Sequence, residues 1–227
     1  MAEFLEYLKV LVADRRAHPG NPESDVLTRL IQGERSDNGQ RLSENELLHN
    51  CIFILNAGHE TTTNLIGNAL VALQEWPEQK ELLVKRISAT QHDKSALDDV
   101  LNAAVDEFLR FESSNQLGNR RATVDCIVGD VPLAKGTLIT LCIGSANRDP
   151  AQFENAELMD VTRPNCKHLS FAFGIHQCAG LHLARLEGRV ALQIFLQRFP
   201  NYKLTAAPTR GGRARFRGFL NAPFSIN

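Results

Sequence analysis

The chain has no CxxC pair and no regular cysteine framework. Its five cysteines, Cys51, Cys126, Cys142, Cys166 and Cys178, are odd in number and widely spread. That pattern argues against both a disulfide scaffold and a structural zinc site, and it fits a reducing compartment. Net charge is also missing: 25 lysines and arginines against 26 acids leave −1, so no overall electrostatic case exists for nucleic acid or an anionic membrane as the main partner. Long apolar runs are absent too. No stretch approaches the roughly 18 residues that a membrane span needs. The opening "MAEFLEYLKVLVADRR" places Glu3, Glu6 and Lys9 among its apolar residues, unlike the continuous core of a signal peptide. These absences lead to the expectation of a soluble cytoplasmic protein with no nucleic-acid and no membrane partner.

What is present is a chain of 227 residues, 43% hydrophobic and 22% charged, enough to bury a substantial core. We expect a single domain over residues 1–227. Phe4, Leu5, Leu8, Leu11 and Val12 mark one face of an opening helix that "AHPGNPES" ends. A short helix over about 24–32 and a polar link, "GERSDNGQR", follow. Ser43 with Glu46 three residues later is a capping box, and it opens a long central helix over about 43–76 that Pro77 stops. More than thirty residues give about 45–50 Å of helix, yet "NAGHETTTN" weakens its middle, a local cost that points to a site.

Helices over about 78–87 and 97–111 come next. The period then changes to two, and "ATVDCIVG", "VPLA" and "GTLITLCIG" read as one short antiparallel sheet of hairpins. Residues 145–170 form a long irregular stretch of the kind that usually carries function. A last helix over about 180–199 leads to a basic tail, "RGGRARFRG", which we read as a surface hairpin. The fold class expected is mainly α with small antiparallel β-sheets.

Cys178 stands in "FAFGIHQCAG", with Gly174 four residues before it and Gly180 two after it. Glycines there let backbone fold tightly and approach a flat ligand. A helix starting just beyond would aim its positive end at the sulfur and favour thiolate, which makes a metal ligand or a nucleophile. Residue type alone equally allows a small buried, inert thiol. Glu107 and Arg110, spaced i,i+3, read on their own as a surface pair, and Thr61 as a helix threonine bonded back to a carbonyl. The three histidines His59, His168 and His182 show no ligand spacing.

Taken together, Phe171-x-x-Gly174-x-His176-x-Cys178-x-Gly180 followed by "LARLEGRVAL" resembles the haem-thiolate loop, here 171–180, of the cytochrome P450 family of bacterial soluble type. The resemblance extends to "AGHETT", to "EFLR" and to Arg163 in "DVTRP", in the order the family shows. It covers nearly the whole chain but only the C-terminal half of the family, so the fold it implies is the C-terminal half of the cytochrome P450 fold, truncated.

The resemblance implies haem b as cofactor and Cys178 as the iron ligand, whose charge favours O–O cleavage. It assigns Ala57 and Gly58 to a close helix passage over the iron, with Gly58 leaving room for dioxygen. Glu60 and Thr61 become an acid and alcohol pair that relays protons to the distal oxygen. Arg120 and His176 become propionate partners, and Phe171, Gly174 and Gly180 shape the loop. Asn119 replaces an arginine common in bacterial relatives. Glu107, Arg110 and Arg163 become a buried network that fixes the cysteine loop.

The activity implied is oxidation of an organic substrate by dioxygen, with electrons from a separate redox protein such as a ferredoxin, and impaired by lack of the N-terminal half. The alternative is a non-catalytic remnant, or one chain of an assembled protein. Apolar residues of the central helix, among them Ile52, Phe53, Leu55 and Leu65, are expected to face water, which favours a homo-oligomer through that face.

Overall fold

The computed structural model describes residues 2–33 and 42–226. Most of the polar link expected before the capping box lies outside the described residues. The chain divides into two compact units, residues 1–59 and 60–227.

In the first unit, α1 (Ala2–Ala17) and α2 (Val26–Gln32) pack with the opening turns of α3 (Glu44–Glu75) around Leu8, Val12, Leu47 and Leu48. The short helix begins after Asp25, whose carboxylate accepts from the amides of Leu27 and Thr28 and from the Thr28 hydroxyl. The hydroxyl contact leads the effects that hold the Asp25 carboxyl below the usual range. At the start of α3 the capping box forms: Glu46 accepts from the Ser43 amide at 2.8 Å and hydroxyl at 2.7 Å, while the Ser43 oxygen receives the Glu46 amide. These bonds lower the Glu46 carboxyl. Phe53 and Leu55 are exposed as expected, as is Ile54, but Ile52 is not fully exposed: it is half-buried and packs against the Leu8, Val12, Leu47 and Leu48 cluster.

The second unit starts inside α3. Leu65 is not exposed, contrary to expectation: it is 1% accessible and belongs to the main core. It lies one turn beyond the exposed stretch, on a face that α5 and α7 cover. Pro77, at the first turn of α4 (Pro77–Thr90), ends α3, since its ring cannot continue the preceding helix. Helix α5 (Lys94–Phe111) starts from Asp93, which caps the Ala96 amide. Nine of its 18 residues are buried, with Leu101, Ala104, Val105 and Phe108 at its core face.

Among the described residues, two separate two-stranded antiparallel sheets follow over 117–142, not the single sheet of hairpins expected there. β1 (Leu117–Arg121) precedes the three period-two stretches, and it pairs with β4 (Leu138–Cys142), Gly118 opposite Leu141 and Arg120 opposite Ile139. β2 (Cys126–Val128) and β3 (Val131–Leu133) close a hairpin at Gly129, whose φ of 60° needs glycine. The reason for the difference is polarity: "LGNRR" lacks an apolar alternation, yet its backbone bonds to β4 while polar side chains face out.

A four-residue helix α6 (Ile143–Ala146) opens the irregular stretch, which contains no regular element until a 3-10 turn at Gly174–His176. Helix α7 (Leu181–Arg198) packs on α5 and α4. There Gly188 permits close approach: a Cβ would stand 3.2 Å from Leu65 and 3.5 Å from Val105. The tail forms β5 (Lys203–Leu204) with β8 (Phe224–Ser225), and β6 (Thr209–Arg210) with β7 (Phe219–Asn221), the latter being the hairpin expected. Among the described residues no helix is long and apolar enough to cross a membrane.

Candidate functional site

Helix α5 carries the anchor of the site. Glu107 and Arg110 lie one turn apart on its inner face and both are fully buried, so they are not a solvated i,i+3 pair. Arg110 donates Nε to Glu107 Oε2 at 2.7 Å and Nη2 to Oε1 at 2.8 Å, a two-pronged contact that matches guanidinium to carboxylate. Its other protons reach the carbonyls of Asn147, Ala156 and Leu158 at 2.8–3.0 Å. Arg163 Nε adds a third charge at 3.0 Å from Glu107 Oε2, and the Asp160 amide fills Oε1 at 2.8 Å. Arg163 also donates to the carbonyls of Glu154 and Leu158. One carboxylate and two guanidinium groups thus tie down the irregular segment from Asn147 to Arg163. The excess positive charge falls on carbonyl oxygens, so no buried donor of Arg110 is left unmet.

A neutral network continues from there to the cysteine loop. Asn147, whose carbonyl receives Arg110, accepts the Leu169 amide on Oδ1 at 2.7 Å and donates Nδ2 to Ser170 Oγ at 2.9 Å. The Ser170 hydroxyl donates to the Leu109 carbonyl at 2.6 Å and receives Ser113 Oγ at 3.0 Å. Asn147, Ser113 and Ser170 were missed by sequence reasoning. A lone asparagine and two serines carry no periodic signal, and only the fold shows them converging.

Residues 171–180 then turn sharply. Ala172 and Gly174 adopt positive φ, 56° and 72°. The Cys178 amide donates to the Phe171 carbonyl at 2.9 Å, and the Cys178 carbonyl accepts from Leu181 at the first position of α7. The thiol is exposed. No side chain caps the start of α7, whose first amide, that of Leu181, is spent on the Cys178 carbonyl, so the positive end of the helix follows directly on the cysteine. A Cβ on Gly180 would sit 4.0 Å from the sulfur, so glycine keeps that side of the thiol clear.

The surroundings fit haem. Phe173 and Ile175 are 81% and 98% exposed, a display of apolar surface beside a thiol that a flat apolar group would cover. Among the described residues no cluster of three or more His, Cys, Asp or Glu side chains could hold a metal ion. A single sulfur donor suits an iron that brings its own equatorial ligands.

The remaining candidates are more scattered. Arg120 lies on β1, where its Nη1 bonds the Asn119 carbonyl at 2.9 Å, and His176 lies exposed in the 3-10 turn. Ala57 and Gly58 are exposed residues of α3 in the first unit, and a Cβ on Gly58 would meet nothing within 4 Å. Glu60 and Thr61 are half-buried in the second unit. Glu60 forms an ion pair with Arg213 of the tail, a partner that sequence reading did not connect to it. Among the described residues no hydrogen bond joins Arg120, His176 or Glu60 to the Cys178 thiol. The structure therefore brings together the three charged residues behind the loop and the loop residues themselves.

The comparisons agree on one family. The family model for cytochrome P450 matches residues 1–210. Cytochrome P450 107B1 of Saccharopolyspora erythraea is 40% identical over 205 residues, which are 90% of this chain and 47% of that protein. The biotin biosynthesis cytochrome P450 of Bacillus subtilis is 38% identical over 200 residues, 88% of this chain and 46% of that protein. The crystal structure of P450BioI in complex with acyl carrier protein ligated to hexadec-9Z-enoic acid is 34% identical. It superposes with a TM-score of 0.87 over all of this chain and 54% of that one. The chain spans about half the length of the curated relatives it matches. With the motifs, the buried charge network and these matches in hand, the chain belongs to the cytochrome P450 family.

Proposed function

We propose that this chain carries the haem-binding and oxygen-activating half of a cytochrome P450 monooxygenase. Members of the family bind haem b, and bacterial members draw electrons from external redox proteins such as ferredoxins. The observation that carries the reading is the exposed Cys178 thiol, on a loop backbone fixed by the Cys178 amide to Phe171 carbonyl bond just before α7, with Phe173 and Ile175 of the same loop uncovered. Bound there, haem supplies iron able to bind dioxygen and to oxidise an organic substrate, with thiolate charge favouring O–O cleavage.

This chain's residues divide the remaining work. Cys178 Sγ ligates the metal, and Phe171, Gly174 and Gly180 set the loop that presents it. Arg120 and His176 offer cationic or polar contacts to the propionates. Gly58, beside Ala57, leaves the helix surface open for dioxygen. Glu60 and Thr61 pass protons, Glu60 through its carboxyl and Thr61 through its hydroxyl. Arg213 pairs with the Glu60 carboxylate and fixes its position, and the carboxylate must take up a proton before it can hand one on. Glu107, Arg110 and Arg163 support the loop from behind through Asn147 and Ser170.

A second reading is association. Leu183, Leu186, Val190 and Ile194 form an exposed apolar stripe on α7, and Phe53 and Leu55 are exposed on α3. Such surfaces support assembly with a further polypeptide or a second copy. Sedimentation checks it: a concentration-independent monomer removes the homo-oligomer.

The direct test of the first reading is haem titration of the purified chain, followed by reduction and exposure to carbon monoxide. Stoichiometric uptake with a thiolate-type spectrum is expected. A chain that takes up no haem overturns the reading in favour of a non-catalytic remnant.

A further inference from the structure

Behind the cysteine loop lies a second charged cluster that the Glu107 network does not include. Asp106, next to Glu107 on α5 but on another face, accepts Arg185 Nε of α7 at 2.7 Å and faces His168 Nε2 at 3.3 Å. Both partners flank one aromatic ring. The Arg185 guanidinium lies 4.9 Å from the Phe171 ring centroid, and the His168 ring lies 5.6 Å from it on a tilted plane. Phe171 is the residue whose carbonyl receives the Cys178 amide at 2.9 Å. His168 Nδ1 also meets the Ser170 amide at 3.2 Å, so the backbone entering the loop is held from the same cluster.

The His168 side chain is only 2% exposed, and Asp106 keeps an ionised carboxyl in a largely enclosed place. Burial alone would raise that carboxyl, but the bonds from His168 and Arg185 outweigh it and hold it below the usual range. A carboxylate kept charged where water is scarce holds its donors firmly. Its geometry here converts that hold into a clamp on a ring: the aromatic plane cannot turn without breaking a cation–π contact or displacing the imidazole.

We propose that Asp106, through Arg185 and His168, is a positioning residue that fixes Phe171 and thereby the Phe171 C=O to Cys178 N–H bond that sets the thiol. The consequence for iron ligation rests on the reading of Cys178 as the haem ligand, whereas the clamp itself does not.

The test is hydrogen exchange on the full, haem-loaded chain, read by mass spectrometry with fragmentation that isolates the Cys178 amide. Asp106→Asn is compared with Asp98→Asn, which breaks the other α5 to α7 ion pair, Asp98 with Arg189, and has no link to Phe171. The Cys178 amide is expected to exchange about tenfold faster in Asp106→Asn after correction for global stability by urea unfolding, the loss of one charge-assisted bond. It is expected to keep its wild-type rate in Asp98→Asn. Arg185→Lys, which retains the charge but loses the planar stack, serves if Asp106→Asn fails to fold, and is expected to show the same acceleration in smaller degree.

Equal Cys178 exchange in wild type, Asp106→Asn and Arg185→Lys overturns the clamp, as does equal acceleration in Asp98→Asn. The carbon monoxide spectrum of the wild type separates the two failures. A thiolate-type spectrum with unchanged exchange sinks only the clamp, and its absence sinks only the iron assignment, since exchange can be repeated without haem.

Discussion

Glu107 and Arg110 share a two-pronged contact with no solvent on either side chain, and Arg110 then reaches three carbonyls of a segment 37 to 48 residues away. The pair does more than close a helical turn. It trades the hydration of two charges for the position of a long loop, so removing one member leaves the other charged and buried. Arg110→Ala is therefore expected to destabilise the chain by about 3–5 kcal/mol, with Arg163→Ala milder because Arg163 retains partial solvent contact. Urea unfolding measures both.

Alkaline pH acts on two other groups, the half-buried Cys166 and the buried Tyr202. Burial first, then the neighbouring Glu107 charge, pushes the Cys166 thiol to about 12, and burial pushes the Tyr202 phenol to about 12 as well. Their unfolded values are 9.0 and 10.0, so between those and about 12 the unfolded chain has lost protons that the folded chain keeps. Stability is full below pH 9 and falls as pH rises toward 12. Urea midpoints across that range are expected to drop, and Cys166→Ala together with Tyr202→Phe to flatten the drop. Tyr202→Phe also costs about 1 kcal/mol at neutral pH, since it removes the hydroxyl that donates to the Leu70 carbonyl at 2.8 Å.

Close packing makes its own demand at Gly188. Side chains of Leu65 and Val105 stand where a larger residue would go, so Gly188→Val is expected to cost about 1–3 kcal/mol through displaced neighbours. Thermal unfolding reads this directly, and a neutral result would show that α7 can shift away from α5.

Proton delivery gives a prediction tied to turnover. With a redox partner and a surrogate substrate, Glu60→Gln is expected to slow turnover by about 100-fold or more while haem uptake is unchanged. Equal loss of haem uptake would give Glu60 a structural role instead.

Much of this was legible because certain physical demands leave marks in a sequence. The capping box at Ser43 and Glu46, and the proline after Trp76, bracketed α3 to within a residue at each end. The cysteine loop carried its glycines, and Gly174 takes the positive φ that only glycine adopts freely. Strand β1 left no mark, since "LGNRR" has no alternation and its pairing comes from β4. Leu65 reads as exposed from the sequence yet lies in the main core, because periodicity gives a face but not what covers it. Asn147, Ser113, Ser170, Asp106 and Arg185 escaped for a shared reason: each is an ordinary residue whose role arises from partners 22 to 79 positions away.

The central claim reduces to one sulfur atom. Cys178→Ser, purified beside the wild type, is titrated with haem, reduced and exposed to carbon monoxide. The account predicts a thiolate-type spectrum for the wild type that disappears in the variant while its fold, judged by circular dichroism, persists. An identical spectrum and identical haem occupancy in the two proteins would contradict it.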